Sequence, residues 1–381
     1  ETEELLRLTL SEMAVPVFCR RGHRQVPRSA GGEVRMIRIL HAADLHLDSP
    51  FNALSEEKAA LRRREQRELL RSLARIRAEQ NASLVLLSGD LFDSDSTWAE
   101  TEELLRLTLS EMAVPVFIAP GNHDYYAANG RWARMRLPEN VHVFTSADFD
   151  AVVLEELNVR VWGAAFTDNY SEAKLDTLRI PRQDGFTELV CVHGEVGNPG
   201  SRYDPIDERD IAASGADYIA LGHVHACSGL KKAGKTYYAW PGCPEGRGFD
   251  ECGEKGVLIV DVSPGKAKAK FIPTAARRYE CLSVPADELD GFRLPDGAAE
   301  NIYQITITGE TDREPDLAAL RRRLEPRVFA LRLRDETRLR TDVWARAGED
   351  SLRGVFLRML RERYDSARTT AEWRLSRCGD T

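Results

Sequence analysis

The chain has 381 residues, 43% of them apolar and 30% charged, with 53 Lys and Arg against 61 Asp and Glu for a net charge of −8. The length favours two domains, the composition is that of a globular protein, and no apolar run approaches the roughly 18 residues that a membrane span needs. Bulk charge does not announce a nucleic-acid binder, so any affinity for phosphate must come from bound metal ions or local arginines.

The charge is unevenly spread. Residues 1–275 carry 33 Lys and Arg against 41 Asp and Glu, whereas residues 276–381 carry 20 Arg, no Lys and 20 acids. An acidic first part fits a cluster of metal-binding carboxylates. The seven cysteines (19, 191, 227, 243, 252, 281 and 378) are odd in number and form no CxxC pair, which argues against a disulfide framework or a structural zinc site. The acidic start at Glu1, Glu3 and Glu4 lacks the basic and apolar regions of a secretory signal, so a reducing, cytoplasmic setting is expected.

Residues 1–18 recur letter for letter at 100–117. The second copy has a helix–strand context. The first runs into a basic, turn-rich stretch, so residues 1–33 are expected to be extraneous or disordered, with one domain over 34–280 and a second over 281–381. Residues 36–41 read as a strand stopping at Ala42-Ala43-Asp44-Leu45-His46-Leu47-Asp48. An amphipathic helix follows over 55–80, closed by Asn81. A buried strand at 82–88 ends on Gly89-Asp90-Leu91-Phe92-Asp93. A helix at 97–113 leads to an apolar strand at 114–119 that stops at Pro120-Gly121-Asn122-His123-Asp124. Strands at 141–144, 151–156 and 159–165 come next. The strand at 189–192 delivers His193-Gly194, and after a helix at 208–215 the strand at 218–221 delivers Gly222-His223-Val224-His225. Strands at 236–240, 256–261 and 266–272 read as an antiparallel finish. Beyond residue 280, a strand (302–308), a helix (316–326), a strand (328–334) and a helix (350–364) suggest an arginine-rich α+β appendage. Arg321, Arg322 and Arg323 there read as a solvated helix face.

The chemistry gathers where strands end. The amide oxygen of Asn122 suits a hard or borderline divalent metal. The imidazole of His123 could protonate a leaving group, and the Asp124 carboxylate could fix its tautomer. Taken alone, these residues read as well or better as an Asx-type turn with a surface histidine. Asp44-x-His46, Gly89-Asp90, Gly121-Asn122-His123-Asp124, His193-Gly194 and Gly222-His223-x-His225 are weak singly. In this order, each after a predicted strand, they are a strong signal, because open α/β sheets place ligands at the carboxyl ends of their strands.

This set resembles the calcineurin-like metallophosphoesterases. His41-Ala-Ala-Asp-Leu-His-Leu-Asp-Ser-Pro-Phe51 and Trp240-Pro-Gly-Cys-Pro-Glu-Gly-Arg-Gly-Phe249 are similar to the SbcD-like and YhaO-like bacterial DNA-repair exonuclease branch, and the resemblance covers residues 36–275. It implies an α/β fold, a four-layer α-β-β-α sandwich with a small C-terminal α+β capping domain. It implies two divalent metal ions, one held by Asp44, His46, Asp90 and His225, the other by Asp90, Asn122, His193 and His223, with Asp90 as the bridge. Mn²⁺ is favoured, with Fe²⁺, Zn²⁺ or Mg²⁺ as alternatives. Such a pair lowers the pKa of a shared water and neutralises the phosphate under attack. His123 becomes the catalytic acid and Asp124 the group that orients it.

The activity implied is a DNA exonuclease of repair or recombination, acting on single- or double-stranded ends. The resemblance also implies an SbcC-like coiled-coil ATPase as partner, with a homodimer as a further option and no membrane association; the chain has no P-loop, so any ATP use must come from a partner. A phosphatase or cyclic-nucleotide phosphodiesterase is the alternative, since the ligand set recognises a phosphate ester and not its carrier; a non-enzymatic scaffold is a third reading. Among other residues, Tyr125, Tyr126, Arg131 and Arg247 are candidate nucleotide or phosphate contacts. Asp48 and Asp93 are expected to hold loops, and His41 and His142 to be structural.

Overall fold

The computed structural model describes residues 36–94, 97–181, 185–340 and 344–377. The expectation for residues 1–33 lies outside them. The first half of the chain alternates strand and helix: β1 (Ile37–Ala42), α1 (Glu56–Glu79), β2 (Leu84–Leu87), α2 (Ala99–Glu111), β3 (Val116–Ile118) and β4 (Val141–Val143). Strands β1 to β4 lie side by side and parallel.

Burial explains why these segments take these forms. On α1 the buried residues Ala59, Arg62, Gln66, Leu69, Leu70, Leu73 and Ile76 recur every three or four positions, which is one face of a helix. Asn81, at φ 53°, turns the chain out of the helix in the left-handed conformation that asparagine tolerates. Strand β2 is buried throughout because both of its faces are covered. Val85 and Leu87 join Leu69, Leu73, Leu105 and Leu109 of α1 and α2, while Leu84 and Leu86 join Val159, Leu189 and Tyr218 from a second sheet.

That sheet is built from β5 (Asp150–Leu154), β6 (Val159–Gly163), β7 (Thr187–His193), β10 (Tyr218–Gly222), β11 (Lys231–Ala233) and β12 (Thr236–Ala239), with short β8 (Glu195–Val196), β9 (Pro205–Ile206) and α3 (Glu208–Ala213) between β7 and β10. Its order is β11-β12-β10-β7-β6-β5. The first sheet is completed by β13 (Gly256–Ser263) and β14 (Lys266–Pro273) in the order β14-β13-β1-β2-β3-β4. A third cluster packs Val190, Val192, Ile219 and Leu221 against Leu175, Leu178, Ile180 and Ile211 on the far side. Helices, sheet, sheet and helix thus stack as the α-β-β-α sandwich expected.

One expectation needs correcting. Residues 236–273 do not make a single antiparallel finish. Strand β12 pairs parallel with β10 in the second sheet, whereas β13 pairs antiparallel with β1 and β14 in the first. Residues 240–255 separate β12 from β13, a connection far longer than the two to five residues of a hairpin, and long enough to change sheets.

The chain divides into two compact units. Among the described residues, one runs as far as Cys281 and adds Asp296–Gln304 and Glu325–Leu331; the other comprises Leu282–Pro295, Ile305–Leu324 and the residues from Arg332 onward. The remaining elements are β15 (Tyr279–Pro285), β16 (Ile302–Thr308), β17 (Glu310–Thr311), α4 (Leu317–Leu324), β18 (Ala330–Asp335), β19 (Arg338–Leu339) and α5 (Leu352–Arg377), the last longer than the helix read from sequence. Within the second unit, Arg323 donates to the Leu289 and Asp290 carbonyls, so this arginine of the triplet is not simply solvated. Among the described residues no helix is long and apolar enough to cross a membrane.

The two sheets interlock at Gly163 on β6, where an added Cβ would lie 2.1 Å from the ring of Phe144, one residue past β4. Gly163→Ala should therefore destabilise the fold by about 1–3 kcal/mol in urea unfolding. Combining it with Phe144→Leu should cost less than the two changes summed, and strict additivity would show that these positions do not meet.

Candidate metal centre

The carboxyl ends of β1, β2, β3, β7 and β10 open on one side of the sandwich, and the loops that leave them are pinned to each other. Asp44 N donates to Gly89 O at 3.0 Å and His46 N to Asp90 O at 2.9 Å, which lays the loop after β1 along the loop after β2. Asp44, His46, Asp90 and His223 all have positive φ (54°, 44°, 51° and 88°), a conformation that non-glycine residues keep only when their surroundings enforce it.

Six of the seven expected ligands converge. His193 Nε2 lies 3.1 Å from Asn122 Oδ1 and 3.4 Å from Asp90 Oδ2. His46 Nε2 lies 3.8 Å from the same Asp90 oxygen and 3.3 Å from His225 Nε2, which in turn is 3.9 Å from Asp44 Oδ1. Ligand atoms of Asp44, His46 and His225 lie within 4.8 Å of one another, as do those of Asp44, Asp90 and His193. Asp44 therefore reaches both clusters, so Asp90 is not alone in joining them. His223 is set apart: its ring stands 5.2 Å from that of His193, its Nε2 is 3.9 Å from Glu195 Oε2, and its backbone N–H donates to the Asp44 carboxylate.

The hydrogen bonds behind the imidazoles decide whether these residues fit a cation. His193 Nδ1 faces the Ser88 carbonyl at 2.9 Å, and a carbonyl only accepts, so the proton sits on Nδ1 and the Nε2 lone pair points inward. His225 Nδ1 faces Glu251 Oε1 at 2.6 Å with the same consequence. Lone pairs aimed at carboxylate oxygens and at another ring nitrogen repel unless a proton or a metal ion lies between them. The protonation balance says the same. Burial opposes charge on both His193 and Asp90, yet their mutual attraction prevails, raising His193 to about 9 and holding Asp90 well below the usual carboxylate range. Burial, aided by the neighbouring His193, lowers His223 to about 4. The donor set thus fits divalent metal ions.

His123 is exposed beside this ring, with its backbone N–H on Asp90 Oδ1 at 2.9 Å. The expected partnership with Asp124 is not found. The Asp124 oxygens accept from the backbone N–H groups of Gly121 (2.8 Å), Leu91 (2.9 Å) and Asp90 (3.2 Å), so this carboxylate fastens one strand-end loop to the next. Burial and the nearby Asp90 charge push it up to about 6. The His123 Nδ1 proton goes instead to the Asp93 carbonyl at 2.9 Å. The tight turn explains the error: residues adjacent in sequence point to opposite sides of it.

Two neighbours escaped the sequence reading. Asp93, expected only to hold a loop, puts Oδ1 3.2 Å from His46 Nδ1 and takes Arg247 at 2.6 Å. Glu251, not singled out at all, receives His225 and, at 2.9 Å, Arg247. Arg247 is thus engaged by two carboxylates and is not a free phosphate contact. Arg131 is likewise occupied, over the Phe92 ring at 4.1 Å and donating to Ser94 O. Asp48 holds a loop as expected, accepting from Trp98 N and Thr101 Oγ1. His41 is buried against the Tyr218 hydroxyl and lowered to about 3 by that burial, a structural histidine. Tyr126 packs on the first core, whereas Tyr125 joins Asp93, Ser94, Asn122, His123, Asn169, Tyr170 and Tyr203 around a cleft of about 450 Å³.

A Cβ on Gly121 would lie 2.2 Å from Asp90 Oδ1. Gly121→Ala should weaken Mn²⁺ binding about 10–100-fold in equilibrium dialysis while leaving cooperative unfolding intact, and unchanged affinity would remove Asp90 from the metal set.

Residues 37–227 match the calcineurin-like phosphoesterase family. The uncharacterized metallophosphoesterase YhaO of Bacillus subtilis is 30% identical over 247 residues, which is 62% of this chain and 60% of that protein. A subunit of the SbcCD nuclease of Bacillus subtilis is 25% identical over 60% of this chain and 67% of its own length. The DNA double-strand break repair protein Mre11 of Saccharolobus solfataricus is 22% identical over 73% of this chain and 77% of its own. By its matched domain, its sandwich of two sheets and the His and Asp clusters at their strand ends, this chain belongs to the calcineurin-like phosphoesterase family.

Proposed function

We propose that this chain is a two-metal phosphodiesterase acting on DNA, an exonuclease that trims ends in repair or recombination. The supporting observation is the inward ring of Asp44, His46, Asp90, Asn122, His193 and His225 beside an exposed imidazole and a tyrosine-lined cleft. On this reading Asp44, His46, Asp90 and His225 would hold one cation, and Asp90, Asn122, His193 and His223 would hold the other, for which His223 would have to turn inward. Mixed imidazole, carboxylate and amide donors suit Mn²⁺. When bound, the cations supply a water of lowered pKa and offset the charge of the phosphodiester.

The chain's own residues do the rest. His123 donates a proton from Nε2 to the leaving oxygen, its other nitrogen being held by the Asp93 carbonyl. Asp124 acts at one remove, keeping the 90–91 and 121–124 loops in register. Tyr125, Tyr170 and Tyr203 line the cleft with aromatic rings, Arg202 lying over Tyr170 at 3.7 Å, and this aromatic and cationic lining favours a nucleic acid over a small ester. Two relatives bear names of a nuclease component and a DNA break repair protein, which supports the same choice. A name that marks one component of a nuclease also supports a second, for which an SbcC-like coiled-coil ATPase is the proposed partner, with self-association into a homodimer compatible with it. The rival reading keeps the site and changes the substrate to a phosphomonoester or a cyclic nucleotide.

With Mn²⁺, the protein should release mononucleotides from end-labelled linear DNA. Chelation should abolish this release, and His123→Ala should lower it about 10²–10⁴-fold with metal content unchanged. Turnover of bis-p-nitrophenyl phosphate or a cyclic nucleotide without any cleavage of duplex or single-stranded DNA would replace the nuclease reading with the rival.

A further inference from the structure

We propose that Cys252 and Cys281 are a two-thiol modification site, closed to a disulfide by a low-molecular-weight disulfide such as oxidised glutathione, that clamps the loop behind His225. The two sulfurs stand 3.1 Å apart as free thiols, against about 2.0 Å in a disulfide bond. Their approach is built in by the backbone. Gly253 N donates to Tyr279 O at 2.9 Å, so the end of the loop lies along the start of β15. The Phe249 carbonyl accepts from both thiols, and the Phe249 ring meets Tyr279 edge to face at 5.2 Å. Little must move for the bond to form.

The two cysteines differ as an attacking and a resolving thiol should. Cys281 is exposed, whereas Cys252 is partly buried, its thiol pushed up to about 12 by that burial and by Cys281 beside it. The Cys281 thiolate attacks one sulfur of the oxidant, forming a mixed disulfide and releasing one glutathione thiol. Cys252 then gives up its proton, attacks the Cys281 sulfur and releases the second. Two protein thiols lose two electrons and one glutathione disulfide gains them. The affected loop holds Arg247 and Glu251, and Glu251 is the carboxylate on His225 Nδ1. Closure of the bond fixes that support to β15.

The intact chain is incubated with oxidised glutathione, then read by thiol titration, peptide mapping and thermal unfolding, none of which depends on catalysis. Loss of two thiols, a linked peptide pair carrying Cys252 and Cys281, and a raised Tm that dithiothreitol reverses are expected. Cys252→Ser should stall at a glutathione adduct on Cys281, with no rise in Tm. Persistence of both thiols, a stable adduct on Cys281 in the unsubstituted chain, or a linked pair with unchanged Tm would overturn the proposal. Because no substrate or metal is read out, a failure here is separate from a failure of the nuclease reading.

Discussion

A buried carboxylate among imidazoles is the constraint on which the site depends. Asp90 is 1% exposed, with one oxygen on the His123 N–H and the other facing His193 and His46. An ionised carboxylate keeps such a place only if positive charge or strong donors surround it. Protonated imidazoles meet that demand, and a divalent cation meets it with more charge in the same space. The demand reaches the backbone. At Gly89, with φ 88°, a Cβ would come within 2.4 Å of His193 Nδ1, so the residue before Asp90 has to be glycine for both spatial and conformational reasons.

Much of this was legible in the sequence because it follows from local pattern. The run Leu84-Val85-Leu86-Leu87 announces a strand covered on both faces, and Leu69, Leu70, Leu73 and Ile76 announce a helix lying on it. Polar motifs that begin where apolar runs stop mark the ligand end of the sheets. That logic brought Asp44, His46, Asp90, Asn122, His193 and His225 together from residues far apart in the chain. Which strand pairs with which is a different kind of information. β12 and β13 have similar strand character, and nothing in either sequence says that Ala239 lies beside Ala220 while Leu258 lies beside His41.

The misread residues share one cause. Asp124 follows His123, so sequence suggests that the two side chains meet. The turn sends the carboxylate into a nest of backbone donors and leaves the imidazole outside. Glu251 had no signal, since its partner His225 is 26 residues away and ordinary acids abound in the chain. Supporting contacts of this kind depend on which loops are neighbours, and that is settled only once both sheets have formed.

Backbone strain completes the picture. Asp44, His46, Asp90 and His223 sit at positive φ, a cost of order 1–3 kcal/mol for each strained residue that isolated loops would not sustain. What offsets it is a set of hydrogen bonds between neighbouring loops: His46 N to Asp90 O, Asp44 N to Gly89 O, and three backbone N–H groups on Asp124. Behind them, Glu251 grips Arg247 and Arg247 grips Asp93, so the carboxylate bound to His225 and the one lying 3.2 Å from His46 are tied to each other by one guanidinium. The backbone beneath the converging side chains is fixed in this way, while the His223 ring has still to turn inward to reach a cation. Rigid donors select ions by coordination distance and donor type, whereas flexible donors would close around whichever cation was most abundant.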